Sequence, residues 1–293
     1  MNSSCIGVIG IGEVGLIFCH AIAEQGVPIK AYDLLLEQDE GHRSLKSRIR
    51  HAGIELTTLQ NVIACSEVIL SVVTTQTAVN LTRQVSELIQ SHQTYVDMNS
   101  TSPSVKKEIG RIIGSTGAFF VEGAILGAVG ATGAKTRILL SGEKGEEIAQ
   151  YLKEAGLNTT YYDLEIGKAS AFKMLRSIFS KGLEAIMLEM MIAGRRAGIA
   201  DDLWNDVMDF MKGNPFDRIA ENWIRSHVLA YERRYYEMLQ VVETMRELEV
   251  EPVMTAGTLD FFNRSLSLAF EETFHQKPAD YKKVVEFMDE GIP

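Results

Sequence analysis

Six consecutive residues, Gly10, Ile11, Gly12, Glu13, Val14 and Gly15, form the pattern Gly-x-Gly-x-x-Gly directly after an apolar run at 6–9. A strand before such a pattern and a helix after it make a phosphate cradle. Gly10 supplies the tight turn, Gly12 admits a pyrophosphate close to the backbone, and Gly15 lets the helix pack closely on the strand. The free N–H groups of the helix start then face a diphosphate. Asp33 lies 21 residues after Gly12, at the end of the next apolar run. A carboxylate there accepts bonds from both adenine-ribose hydroxyls and repels a 2′-phosphate. The spacing therefore predicts a dinucleotide site that prefers NAD over NADP. The plain alternative, a glycine-rich turn with an unrelated aspartate, does not account for the flanking strand and helix.

Other polar residues fall at the ends of later apolar runs. In open α/β sheets ligands bind beyond the carboxyl ends of the strands. Val73 and Thr74 end one run, and Ser100 and Thr101 follow another. Val73, Thr74 and Ser100 are assigned to the cofactor, and Ser100 and Thr101 to the substrate. Ser102-Pro103 reads as a helix start. Four glycines then fall within the eleven residues from Gly123 to Gly133. They suit either close approach to a flat ring or a mobile loop. Further on, Lys173, Ser177, Ser180 and Glu184 share one helical stripe. By itself Lys173 reads more readily as a solvated helix lysine than as a catalyst.

These residues need a scaffold. Apolar runs at 6–9, 29–32, 68–73, 94–97, 119–122, 137–141 and 159–162 alternate with helical stretches at 14–25, 77–91, 102–113 and 144–154. That is the pattern of a parallel sheet with crossover helices. From 164 to 197 there is no proline, and Phe172, Leu175, Phe179, Leu183, Met187 and Met190 recur at helical spacing. One helix of about 50 Å would result. The remainder reads as helices broken at Gly213-Asn214-Pro215, Pro252 and Pro278. The expected fold is α/β: a doubly wound Rossmann sheet over 1–163, then a long linking helix and an all-α domain over 164–293.

Composition narrows the function classes. Lys+Arg 29 against Asp+Glu 39 gives a net charge of −10, with a pI near 5.2. Nucleic-acid and anionic-membrane binders want a basic face, so neither is an expected partner. No run of 18 uncharged apolar residues exists, and the first residues have no basic region preceding an apolar one. Cys5, Cys19 and Cys65 are sparse and odd in number, which fits reduced thiols in the cytoplasm. No Cys/His spacing suits a metal.

The chain resembles the β-hydroxyacid dehydrogenase superfamily, which includes 3-hydroxyisobutyrate and 6-phosphogluconate dehydrogenases. The likeness is carried, in order, by the Gly7–Gly15 region, Ser100-Thr101-Ser102-Pro103, the Glu122-to-Gly133 segment and the helix start from Gly167 to Lys173. The stretch from Glu232 to Met238, running on to Val250-Glu251-Pro252, is similar to a phosphogluconate-dehydrogenase-like branch with its own helical C-terminal domain. The resemblance implies a homodimer and an oxidoreductase that moves a hydride between nicotinamide and a small acidic β-hydroxy acid-like substrate. It implies Lys173 as general acid/base, a role that needs a pKa drawn from about 10.4 towards 7–8. It also places Gly123, Leu126, Gly127, Arg176 and Ser177 against substrate. Leu126 stands where the family usually has Ser, and Arg176 and Ser177 where it usually has Asn. Those departures leave open an NAD(H)-binding sensor without turnover; a further alternative is an imine reductase on the same scaffold, against which the lysine at 173 favours alcohol chemistry.

Overall fold

The computed structural model describes residues 5–291, which divide into two compact units between Ser177 and Ile178. The first unit contains β1 (Cys5–Ile9), α1 (Glu13–Glu24), β2 (Ile29–Tyr32), α2 (Asp39–Arg48), β3 (Ile54–Leu56), α3 (Leu59–Ala64) and β4 (Ser66–Ser71). It continues with α4 (Ala78–Ser86), β5 (Thr94–Asp97), α5 (Pro103–Gly114), β6 (Phe119–Ile125), the single turn α6 (Val129–Thr132), β7 (Ile138–Ser141), α7 (Gly145–Glu154) and β8 (Thr159–Asp163). The strands form one sheet in the order β3-β2-β1-β4-β5-β6-β7-β8. The chain winds one way from β1 to β3 and the other way from β4, so the switch point lies between β1 and β4.

Both faces of the sheet are covered, as parallel strands require. Ile6, Val8, Leu70 and Val96 point into one apolar cluster. Ile9, Ile69, Tyr95 and Phe120 point into the other. Register carries one polar line across the second face. Ser71 pairs with Asp97, Asp97 with Glu122, and Glu122 with Ser141. All four are fully buried.

The sequence reading did not anticipate α2, β3, α3 or the single turn α6. The strand β3 has only three residues, and α2 buries only Leu45. Neither carries an apolar period to read. The β6–β7 pair is antiparallel, whereas the alternating pattern suggested parallel strands throughout. Its connection is about the length a crossover needs and holds a single helical turn, too little to cover the sheet face.

The long helix α8 spans Lys168–Ala197. The division between units falls inside it. Its first turns belong to the sheet unit because Ala169 is fully buried with Ala124 and Leu139.

The second unit holds the rest of α8, then α9 (Ala200–Gly213), α10 (Phe216–Glu247), α11 (Val253–Ser265), the single turn α12 (Phe270–Thr273) and α13 (Lys282–Gly291). The breaks fall at Gly198, at Asn214-Pro215 and before Val253, close to where Gly and Pro marked them. Glu189 of α8 caps α11, accepting from the Met254 and Thr255 N–H groups at 2.8 Å each. Val228, Leu268, Phe270 and Val284 form its small core. Large apolar side chains on α8 remain in solvent, with Ile178 71% and Leu183 43% exposed. Among the described residues no helix is long and apolar enough to cross a membrane.

Candidate active site

The glycine turn between β1 and α1 has the shape its spacing called for. Gly10 has φ +96°, and a side chain there would meet the Val72 carbonyl. A Cβ at Gly15 would collide with the Gly10 carbonyl. A Cβ at Gly12 would meet nothing within 4 Å, so the space before α1 is open. Among the described residues no side chain caps this helix start, leaving its first N–H groups for an anion. These features fit a dinucleotide pyrophosphate. Glu13 is exposed, and its carboxylate lies against Gly130 of the glycine-rich segment. Val14 packs on the core beneath.

Asp33 sits beside this turn. Its Oδ2 accepts the Ile11 N–H at 2.7 Å, and its Oδ1 accepts the Leu35 N–H at 3.0 Å. One carboxylate thus ties the phosphate turn to the end of β2. Each oxygen keeps a second lone pair for a ribose hydroxyl. Glu37 is close by and accepts from the Tyr32 hydroxyl at 2.6 Å.

Past β4, the Val73 N–H donates to Asn99 Oδ1 at 2.7 Å. Thr74 is exposed and bonds Thr77 through their hydroxyls at 3.0 Å. Past β5, Ser100 is exposed, and its carbonyl accepts from the Thr75 hydroxyl at 3.1 Å. Thr101 is buried, and its hydroxyl has no partner among the described residues. Ser102 caps α5, accepting from the Val105 N–H at 3.4 Å, so its role is structural.

The start of α8 is anchored by a residue that sequence reasoning did not assign. Glu122 is the member of the polar line on β6. Its Oε1 accepts the Gly167 N–H at 2.8 Å and the Ala169 N–H at 2.9 Å. Its Oε2 accepts from the Ser170 hydroxyl at 3.0 Å. The carboxylate therefore sits on the positive end of the helix, satisfying donors that would otherwise be orphaned. Lys173 follows roughly one turn later, half-buried. Leu126 and Phe172 pack on the same small cluster as Ala124, Leu139 and Ala169. Gly123 is buried under Met98, and Gly127 is exposed. Ser177 donates back to the Lys173 carbonyl at 2.9 Å, and Arg176 is exposed.

With this geometry in view, the comparisons decide the family. Residues 5–162, more than half of the chain, match the NAD binding domain of 6-phosphogluconate dehydrogenase. The chain belongs to this family. Residues 195–265 match a domain of unknown function, DUF1932. A 2-(hydroxymethyl)glutarate dehydrogenase of Eubacterium barkeri is 21% identical, with 91% of each chain covered. A solved protein described as structurally similar to 3-hydroxyacid dehydrogenases is 28% identical, with TM-score 0.60, covering 99% of this chain and 100% of its own. An imine reductase from Myxococcus stipitatus, solved with NADP⁺, shares the fold at TM-score 0.76 and 17% identity, covering 97% of this chain and 99% of its own.

This chain is accordingly a β-hydroxyacid dehydrogenase-like oxidoreductase with an NAD(P)-binding Rossmann domain. Its sheet unit brings together the glycine turn, Asp33, Val73 and the buried polar line. Sequence reasoning missed Asp97, Asn99, Lys106 and Glu122. A signal existed for Lys106, which shares the buried stripe of α5 with Ile109 and Ile113. A lysine on an apolar stripe needs a buried partner. Glu122 likewise interrupts an apolar run in front of Gly123.

Proposed function

We propose that this protein interconverts a hydroxyl and a carbonyl group on a small acidic substrate, with NAD(H) as its preferred cofactor and Lys173 as general acid/base. The observation that carries this reading is the anchoring of α8. The buried Glu122, level with the carboxyl ends of β4 and β5, holds the first turn of the helix bearing Lys173 against β6. The family's cofactor-binding edge is that same edge of the sheet.

The nicotinamide, when bound, supplies the hydride chemistry. Lys173 takes the hydroxyl proton in oxidation and returns it in reduction. Asp33 orients the adenine ribose. The preference for NAD(H) is supported by what surrounds Asp33. The segment after β2 runs Leu34, Leu35, Leu36, Glu37, and α2 opens with Asp39 and Glu40. A 2′-phosphate would meet carboxylates first, with Arg43 and Lys46 farther along the helix. Thr101, buried with a free hydroxyl, is assigned to substrate. Arg176 is assigned to the substrate carboxylate, which a guanidinium can grip with two parallel bonds.

The test is turnover of purified protein with NAD⁺ and NADP⁺ across hydroxy acids and sugar acids. Lys173→Ala should lower kcat by about 10²–10⁴ and leave NADH affinity within a few-fold. Undiminished turnover in the variant would refute the role of Lys173. Binding of NADH with no turnover on any substrate would favour a sensor.

A further inference from the structure

Asn99 stands just past β5, almost wholly buried, with every polar group of its side chain engaged. Its Oδ1 accepts the Val73 N–H at 2.7 Å. Its Nδ2 donates to Ser71 Oγ at 3.0 Å and also to Asp97 Oδ1. Its own N–H reaches Asp97 Oδ1 at 3.1 Å. Asp97 is held in turn by Lys106, whose Nζ donates to Asp97 Oδ2 at 3.0 Å, to the Asp97 carbonyl at 2.7 Å and to the Gly123 carbonyl at 3.4 Å.

This arrangement is a built one. Lys106 and Asp97 form an ion pair with side chains 1% and 0% exposed. A buried pair of that kind is weak evidence for stability, since apolar residues of like volume often do as well. Its geometric effect is specific. It fixes Asp97, which fixes the amide of Asn99, which sets where the backbone leaves β4. The Val72 N–H still joins the ladder, donating to the Ile9 carbonyl at 2.8 Å. The next N–H, that of Val73, is turned onto a side chain instead.

The position of β4 gives this a function. Along the sheet the order is β2, β1, β4, β5. Asp33 directly follows β2, and the phosphate turn follows β1. A dinucleotide laid across the switch point with its adenosine at Asp33 carries its nicotinamide half towards β4 and β5. We propose that Asn99 is a positioning residue for the nicotinamide half of the cofactor, acting through the backbone of Val73 and Thr74. The proposal rests on the family's NAD(P)-binding domain and is independent of the proposed alcohol chemistry.

Calorimetric titration of wild type, Asn99→Ala and Ser71→Ala with NADH and with ADP-ribose tests it, because ADP-ribose lacks the nicotinamide. Asn99→Ala should weaken NADH by about 10-fold and leave ADP-ribose within about 2-fold, the size expected for one lost hydrogen bond. Ser71→Ala, a near-isosteric change, should show the same split at about 2–4-fold. Equal loss for the two ligands, or unchanged NADH affinity, overturns the proposal. If Asn99→Ala does not fold, the Ser71→Ala split decides. A wild type that binds neither ligand overturns the cofactor reading and this proposal together. A wild type that binds both, with variants that show no split, overturns the proposal alone.

Discussion

Asp97 and Glu122 are register partners on neighbouring parallel strands, both fully buried, and each is neutralised by a different device. Asp97 faces the Lys106 ammonium at 3.0 Å. Glu122 faces the start of α8, with two backbone N–H groups and the Ser170 hydroxyl. Side by side and unpaired, two such carboxylates would repel in a medium of low polarity. Their separate partners turn that liability into two fixed attachments, one to α5 and one to α8.

Glu122 should therefore matter in graded fashion. Glu122→Ala leaves the Gly167 and Ala169 N–H groups buried without acceptors and should cost about 2–4 kcal/mol of stability. Glu122→Gln keeps one acceptor for both and should cost about 1 kcal/mol. Urea denaturation followed by circular dichroism measures both. An alanine variant as stable as wild type would remove the anchor from the account.

Cofactor choice is open to direct titration. NADH should bind at least about 10-fold more tightly than NADPH, since a 2′-phosphate loses the hydroxyl bonds to Asp33 and meets its charge. Asp33→Asn keeps the acceptor for Ile11 and should narrow the gap. Equal or tighter binding of NADPH by wild type would reverse the assignment and turn attention to Arg43 and Lys46.

The helical unit should respond to mild acid. His227 is buried among Tyr231, Phe261, Phe262 and Phe270. It shares a 2.9 Å bond with the Ser265 hydroxyl. Burial, with a smaller contribution from the Arg234 charge, pulls its pKa down from 6.5 to about 4. The folded state holds this imidazole neutral while the unfolded chain protonates it near 6.5. The stabilisation is whole above pH 6.5 and is lost as pH falls towards 4, by about 3 kcal/mol at most. His227→Phe should flatten that part of the melting-temperature profile. An identical slope in variant and wild type would exclude His227 as its source.

The bare apolar face of α8 predicts self-association. Ile178 and Leu183 stand in solvent, and Met187 is half-buried. Patches of this kind mark association surfaces. Light scattering at micromolar concentration should give about twice 32.5 kDa. Ile178→Asp combined with Leu183→Asp should shift the species to monomer. A wild-type mass of 32.5 kDa would end the idea.

Local signals were legible wherever one short segment carried its own constraint. The turn from Gly10 to Gly15 demands glycine because backbone crowds two of its positions, and that demand is written in consecutive residues. Ser102-Pro103, Gly198 and Pro252 mark helix ends for equally local reasons. The elements α2, β3 and α3 escaped because their burial is slight or their length too short to show a period.

The sequence by itself determined the strand–turn–helix that opens the chain, the carboxylate 21 residues on, the change from α/β to all-α and the long helix bearing Lys173. Each is a matter of residue type and spacing within a segment. Only the tertiary structure decided that Asp97, Asn99 and Lys106 form one buried system and that Glu122 and Ser170 form another beside it. Glu122 and Ser170 are 48 residues apart in the chain, and Ser71 and Asn99 are 28 apart. A buried polar group is defined by the partner that satisfies it. That partner exists only after strand register and the seating of α5 and α8 have brought the distant segments together.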